Sequence, residues 1–259
     1  MVDDIADGDN KNKSSKLNNL QKKIIYEQFS EISKISEIET LIKNQIVDKM
    51  YLIYLIDGVK KDLKKVHIKS QRELINYAYL VAGTVGLMMS KVLGAQNTYA
   101  ERFAIDLGIA MQITNIARDI IEDAKLKRVY IPKSWIKIDY KDILKKNDTK
   151  TKYNLKYATN KLYLLSEKYY KSALYGLAFL PFKERFAILL ALVLYRNIGR
   201  KIIKNNYSNI YKREYLSIKE KFYSFVQSLY IFLFNRKLHK ECFKHNKSLH
   251  VLLNKKHRV

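Results

Sequence analysis

Between Gly108 and Asp123 the chain reads G-I-A-M-Q-I-T-N-I-A-R-D-I-I-E-D. On a helix, at about 100° per residue, Gly108, Gln112, Asn115, Asp119 and Asp123 fall within roughly 80° of one another. Ile105, Ile109, Met111, Ile113, Ile116, Ile120 and Ile121 cover most of the remaining circumference. A helix apolar nearly all round is buried, and buried amides and carboxylates are costly unless they meet partners, metal or ligand. The stripe therefore predicts an internal site. Asp119 and Asp123 stand one turn apart and aim at one point, which suits a hard cation, Mg²⁺ or Mn²⁺, held together with a substrate phosphate. The competing use of the same residues is a buried ion-pair network with Arg118.

A second acidic pair favours the metal. The chain opens M-V-D-D-I-A-D-G, so Asp3 and Asp7 repeat the one-turn spacing, with Asp4 beside them. Two such pairs on separate helices can face each other and bind divalent ions bridging a diphosphate, which implies ionisation of an organic diphosphate or phosphoryl transfer. No G-x-x-x-x-G-K-[ST] and no G-x-G-x-x-G occurs, which argues against a nucleotide-handling enzyme.

Four blocks carry a family resemblance: V-D-D-I-A-D at Val2 to Asp7, Y-L-V-A-G-T-V-G-L-M-M at Tyr79 to Met89, L-G-I-A-M-Q-I-T-N-I-A-R-D-I-I-E-D-A at Leu107 to Ala124, and R-V-Y-I-P at Arg128 to Pro132. In this order they closely resemble the squalene and phytoene synthases, from the first residue to about Lys221, and look most like the bacterial phytoene synthases. The resemblance implies an all-α isoprenoid synthase bundle with a central active-site cavity. It also implies Mg²⁺ held by Asp3 and Asp7 on one side and by Asn115, Asp119 and Asp123 on the other. Gln112 and Asn115 are then expected to hold waters or a second diphosphate, and Arg118 and Arg213 to contact phosphate. Tyr79 is expected near the reacting centre, and Tyr195 matches the tyrosine of the family's L-Y-x-x-I segment, with simple core packing as its other reading. The implied reaction is head-to-head condensation of two prenyl diphosphates: geranylgeranyl diphosphate gives phytoene, while farnesyl diphosphate gives presqualene diphosphate or, with NADPH, squalene. NADPH is not expected for the phytoene reaction.

Other positions carry two readings. Tyr79, Ala82, Gly83, Gly86 and Ser90 share a face of mostly small residues; family likeness makes it a wall of the isoprenoid tunnel, and helix geometry alone makes it a close packing face. Asp57 and Asp62 recur in the family but do not share a helical face, which favours a structural ion pair.

The elements that position these residues read as helices. Leu17, Leu20, Ile24, Ile25, Phe29 and Ile32 recur at helical spacing. Ser36 with Glu39 forms a capping-box start for a helix running towards Ile56, and further helices are predicted over 71–93, 99–123, 154–177, 182–205 and 217–234. Only two prolines and eight glycines in 259 residues, and no Pro/Gly/Ser-rich linker, predict a single domain over 1–259. The lone Cys242 excludes an intramolecular disulfide, the acidic start is not a secretory signal, and apolar runs such as 186–195 are short of a membrane span. A cytoplasmic monomer is expected.

The net charge of +24 is spread along the chain, mostly as lysine, as in a global compositional bias. Attraction to an anionic membrane surface is the second reading, since each exposed basic residue near such a surface adds about 1 kcal/mol. It would place the protein peripherally at the inner face of the membrane. The basic stretch 236–259, with lysines interleaved among Leu238, Phe243, Leu249, Val251 and Leu252, is the candidate anchor. Nucleic acid is not an expected partner, because no recognisable nucleic-acid module is present.

Two departures from the family are visible. Members carry an aromatic helix and an arginine ahead of the first acidic motif, whereas only Met1 and Val2 precede Asp3 here. Either the start lies at an internal methionine of a working enzyme, or the chain is a fragment, in the extreme an inactive membrane-associated homologue whose open cavity would admit water. Lys127 stands where glycine often precedes R-x-Y-[IL]-P, a change expected to matter little.

Overall fold

The computed structural model describes residues 12–28, 36–145 and 148–258. Helices α1 (Lys13–Ile25), α2 (Ser36–Lys43) and α3 (Lys49–Asp62) come first. The segment read as one helix from Ser36 towards Ile56 is two, because Gln45 takes a left-handed φ of 56° and Asp48 caps a new start by accepting from Met50 N at 2.8 Å. Leu17, Leu20 and Ile24 of α1 pack against Leu52, Ile53, Ile56 and Val59 of α3 as a satellite core.

The helix predicted over 71–93 contains an interruption. It runs as α4 (Gln71–Ala78), a π turn (Tyr79–Gly83) and α5 (Thr84–Val92). Single π turns within α-helices concentrate at functional sites, and this one packs against the central helix α6 (Tyr99–Arg118). The approach is so close that a Cβ on Gly108 would lie 2.2 Å from the Ala82 carbonyl oxygen, and one on Gly86 2.3 Å from that of Ala104. Only hydrogen fits at both crossings. The small face is thus a packing face at Ala82 and Gly86.

The helix predicted over 99–123 is also two. Asp119 leaves helical geometry (φ −104°, ψ 20°), and α7 (Ile120–Lys125) resumes with Asp123 N still bonded to Asp119 O at 2.8 Å. A two-residue parallel pairing of β1 (Val66–His67) with β2 (Arg128–Val129), absent from the helical reading, ties the end of α3 to the segment after α7. After α8 (Tyr140–Leu144), the long α9 (Thr149–Gly176) and α10 (Phe182–Lys204) pack along α6. Helix α11 (Ile218–Phe234) starts at a Ser217/Glu220 capping box and lies on α10. A contiguous apolar core runs from Val66 to Leu253 with Phe103, Ile105, Ile109 and Ile113 of α6 at its centre.

The stretch 236–258 is not a detached basic tail. It crosses the bundle in three short 3₁₀ turns (Arg236–His239, Lys247–His250, Lys255–His257) with Leu238, Leu249 and Leu253 buried and its lysines outward. Tyr169 donates to Leu249 O at 2.9 Å, and Asn76 donates to Leu252 O and accepts from Asn254 N, both at 2.8 Å. Among the described residues, no helix is long and apolar enough to cross a membrane.

Candidate active site

Most of α6 is buried, but Leu107, Met111, Gln112, Asn115 and Arg118 are half-buried, and Asp119, Glu122 and Asp123 continue the stripe. Gly108, grouped with it on the sequence, instead serves the crossing with Ala82. Asn115 Nδ2 reaches Gln112 Oε1 at 3.5 Å, while Asn115 Oδ1 is buried without a partner.

Asp119 is gripped by guanidinium groups. Arg118 donates from Nε and Nη2 to its two carboxylate oxygens at 2.8 and 2.7 Å, the bidentate geometry in which such pairs are strongest. Arg213 Nε lies 2.9 Å from Asp119 Oδ1, outside hydrogen-bond alignment. The Arg213 guanidinium also sits 5.2 Å from the Tyr215 ring centroid; burial works against the charge on Arg118, but the Asp119 carboxylate, with Tyr195 and Tyr215 adding to it, holds its pKa above the usual value. Arg213 arrives on a loop whose path is fixed from below: Asn209 donates to Ala117 O at 2.8 Å and to Thr159 Oγ1 at 3.0 Å, Ser208 bonds Glu214, and Asn206 and Tyr207 take positive φ.

Asp123 stands in different surroundings. Burial first, then the Asp119 carboxylate, push its carboxyl up to about 8, with Arg128 opposing them and Asp62 and Glu122 adding to the rise. Asp62, expected in an ion pair, accepts the hydroxyls of Tyr77 and Tyr130 at 2.8 and 2.7 Å, and those rings stack 4.8 Å apart. Asp57 accepts from Gln21 at 2.8 Å. No spacing along the chain joins Asp62, Tyr77, Tyr130 and Asp123; the pairing of β1 with β2 brings them together.

An oxygen-only donor set, an orphaned Asn115 Oδ1 and a carboxyl that burial keeps from ionising together suit a hard divalent cation, whose charge would reverse that rise. Asp119, Asp123 and Asn115 are the described residues able to hold it. Asp3 and Asp7 lie outside the described residues.

The structure brings Arg118, Asp119, Arg213 and Tyr195 together. Tyr79 is placed differently: fully buried, it stacks on His257 with centroids 4.5 Å apart, and burial together with Tyr51, Tyr54 and Glu101 raises its hydroxyl's pKa. Gly83 sits within the π turn beside the Tyr79 ring. Gly86 and Ser90 do border a small apolar cavity of about 70 Å³, shared with Met89, Ala104, Leu107 and Leu177. From Leu107 to Asp119 is twelve residues, about 18 Å along the helix. Lys127, expected to be inconsequential, has φ 60°, so the glycine common at this point of the motif answers a left-handed backbone.

Comparison with known proteins accords with this geometry. The squalene/phytoene synthase family matches residues 1–220. A 15-cis-phytoene synthase of Enterobacter agglomerans is 35% identical over 63% of this chain and 56% of its own length, and a chloroplastic phytoene synthase 1 of Solanum lycopersicum is 36% identical over 64% and 42%. The chain thus spans about half the length of the curated relatives it matches. Among solved structures, a dehydrosqualene synthase in complex with ligand superimposes with a TM-score of 0.77 over 90% of this chain and 82% of that one at 22% identity. A squalene synthase from Alicyclobacillus acidocaldarius gives 0.65 over 80% and 79% at 18%. The fold is therefore the all-α isoprenoid synthase bundle, and the chain belongs to the squalene/phytoene synthase family.

Proposed function

We propose that this protein is a Mg²⁺-dependent head-to-head prenyltransferase that condenses two geranylgeranyl diphosphates to phytoene. The observation that carries the proposal is that Arg118 and Asp119 at the end of α6, with Asp123 beyond it and Arg213 arriving on its loop, form a charged cluster, while Ala104 and Leu107 about three to four turns earlier on the same helix border an apolar cavity. Diphosphate and hydrocarbon are the two halves of a prenyl diphosphate, and the helix offers surroundings for each. The curated relatives named above, all phytoene synthases, favour the longer substrate over farnesyl diphosphate.

Arg118 and Arg213 both pair with Asp119. On substrate binding both guanidinium groups turn to the diphosphate oxygens, leaving Asp119 with Asp123, Asn115 and the Asp3/Asp7 pair for the cations. Bound divalent ions would supply Lewis-acid neutralisation of the departing diphosphate. The chain's own part is to hold that diphosphate, keep the allylic cation away from water behind apolar walls, and present Tyr195 beside the departing group. Attack by the second prenyl double bond, with loss of a proton, then gives a cyclopropyl diphosphate; its ionisation expels the second diphosphate, and the rearranged cation loses a proton to give phytoene without a reductant.

Incubation with each prenyl diphosphate and Mg²⁺, followed by identification of the lipid, tests this. Phytoene from the C20 substrate is expected; squalene-type product from farnesyl diphosphate alone refutes the chain-length assignment.

The product dissolves only in lipid, so we place the working enzyme at an anionic membrane surface. The tail's leucines are turned inward, and the better contact face is α11, where Ile218, Phe222, Tyr223, Tyr230, Leu233 and Phe234 are each at least 63% exposed beside outward Lys212, Lys219, Lys221 and Lys237. Replacing Phe222, Tyr230 and Phe234 by serine should release the protein from anionic vesicles. Unchanged binding refutes this face.

A further inference from the structure

Asp106 points roughly 120° away from Gln112 around α6, outside the site just described, and its side chain is wholly buried. Its oxygens meet two imidazoles from the carboxy-terminal segment: His245 Nε2 lies 2.8 Å from Oδ2, and His250 Nε2 lies 2.9 Å from Oδ1. The two rings are 4.5 Å apart, and Phe103 packs edge-on to His245 at 5.3 Å. Among the described residues, neither lysine nor arginine forms an ion pair with this carboxylate.

We propose that Asp106, His245 and His250 form a binding site for a borderline divalent transition ion of the Zn²⁺ class, stapling the carboxy-terminal segment to α6. One ligand atom from each residue already falls within 4.8 Å of the others. Because each carboxylate oxygen faces a different Nε2, two nitrogens and two oxygens converge, a four-donor set that needs no water in a buried place. Metal bonds of about 2.0–2.2 Å require only that each nitrogen–oxygen pair open to about 3.3 Å. A bound ion would take the Nε2 lone pair of each imidazole, whose ring proton would then sit on Nδ1.

Donor chemistry separates this site from the acidic one. Imidazole suits Zn²⁺, whereas Mg²⁺ prefers oxygen ligands and retains water. The ion's role here is structural, because the donor set leaves no open position for substrate. It would fix the segment that carries His257 onto Tyr79.

The test uses the full, tag-free chain, stripped with chelator and then exposed to zinc in a large excess of Mg²⁺. About one equivalent of zinc should remain bound, its X-ray absorption showing outer-shell scattering from two imidazoles, and trypsin cleavage after Lys247 and Lys255 should slow at least tenfold on loading. His245→Gln with His250→Gln should abolish the retained zinc while circular dichroism stays helical. If that variant fails to fold, the wild-type absorption spectrum decides alone. Zinc that washes out under Mg²⁺, or a bound ion without imidazole ligands, overturns the proposal and leaves a hydrogen-bonded clasp.

Discussion

Replacing Asp123 by asparagine should stabilise the cation-free protein at alkaline pH and do nothing at acid pH. The carboxyl rises from 3.8 unfolded to about 8 folded. Between those values the folded state therefore holds a proton that the unfolded state has lost. Stability falls as pH rises through this window. At 1.36 kcal/mol per unit the ceiling is about 6 kcal/mol. Partial water access and coupling to Asp119 bring the expected effect to about 3 kcal/mol, or roughly 6–12 °C in Tm for a chain of this size. Asparagine reproduces the shape of the protonated acid without the ionisation, so it should show that gain at pH 8.5 and none at pH 4. The assay is thermal unfolding by circular dichroism across that range in chelator. Mg²⁺ with inorganic diphosphate should then raise the wild-type Tm at pH 8.5 and leave the variant unmoved. A pH-independent difference, or a wild type that is the more stable at pH 8.5, would refute the burial argument.

Four further outcomes are expected. Asp119→Ala and Asp3→Ala should each lower turnover at least about a hundredfold with the helical spectrum intact, as loss of an electrostatic stabiliser does; full activity in either variant, or in chelator, removes the metal assignment. Lys127→Gly should raise stability by about 0.5–1 kcal/mol by relieving the left-handed φ, and a lower Tm would show that the lysine side chain matters more than its backbone. His257 is depressed to about 4 by burial and then by Lys256 and Lys61, so its contribution is complete above about 6.5 and is lost as pH falls through 4; His257→Phe, which keeps the stacking on Tyr79, should flatten that acid limb in urea titrations. Gly86→Ala should cost at least about 2 kcal/mol and reduce both prenyl substrates alike, because its Cβ meets the Ala104 carbonyl, whereas Ala104→Phe should fill the cavity and penalise the longer substrate more.

Much of the fold was legible because it rests on local pattern. The apolar circumference of residues 105–121 required a buried central helix, and Ser217 with Glu220 fixed the start of α11 through a capping box visible in the letters. The grouping of Gln112, Asn115, Asp119 and Asp123 followed from helical arithmetic, which survives the break at Asp119 because Asp123 N still bonds its carbonyl. That the break exists was not legible: the guanidinium groups of Arg118 and Arg213 meet at this carboxylate, and Arg213 arrives from 94 residues away on a loop pinned by Asn209.

The sequence by itself determined the helical class, the polar stripe and the family, since each depends on residues close in the chain. Tertiary structure decided which small residues are crossings, because Gly86 and Gly108 are read only against the carbonyls of Ala104 and Ala82. It also decided that Asp62 faces tyrosines, that Tyr79 lies under His257, and that the basic carboxy-terminal stretch is bound down through Asp106. Charge pattern could not reveal that last point: lysines at the surface of a folded segment and lysines on a free tail are written alike, and only the inward partners of Leu249, Leu253 and His250 distinguish them.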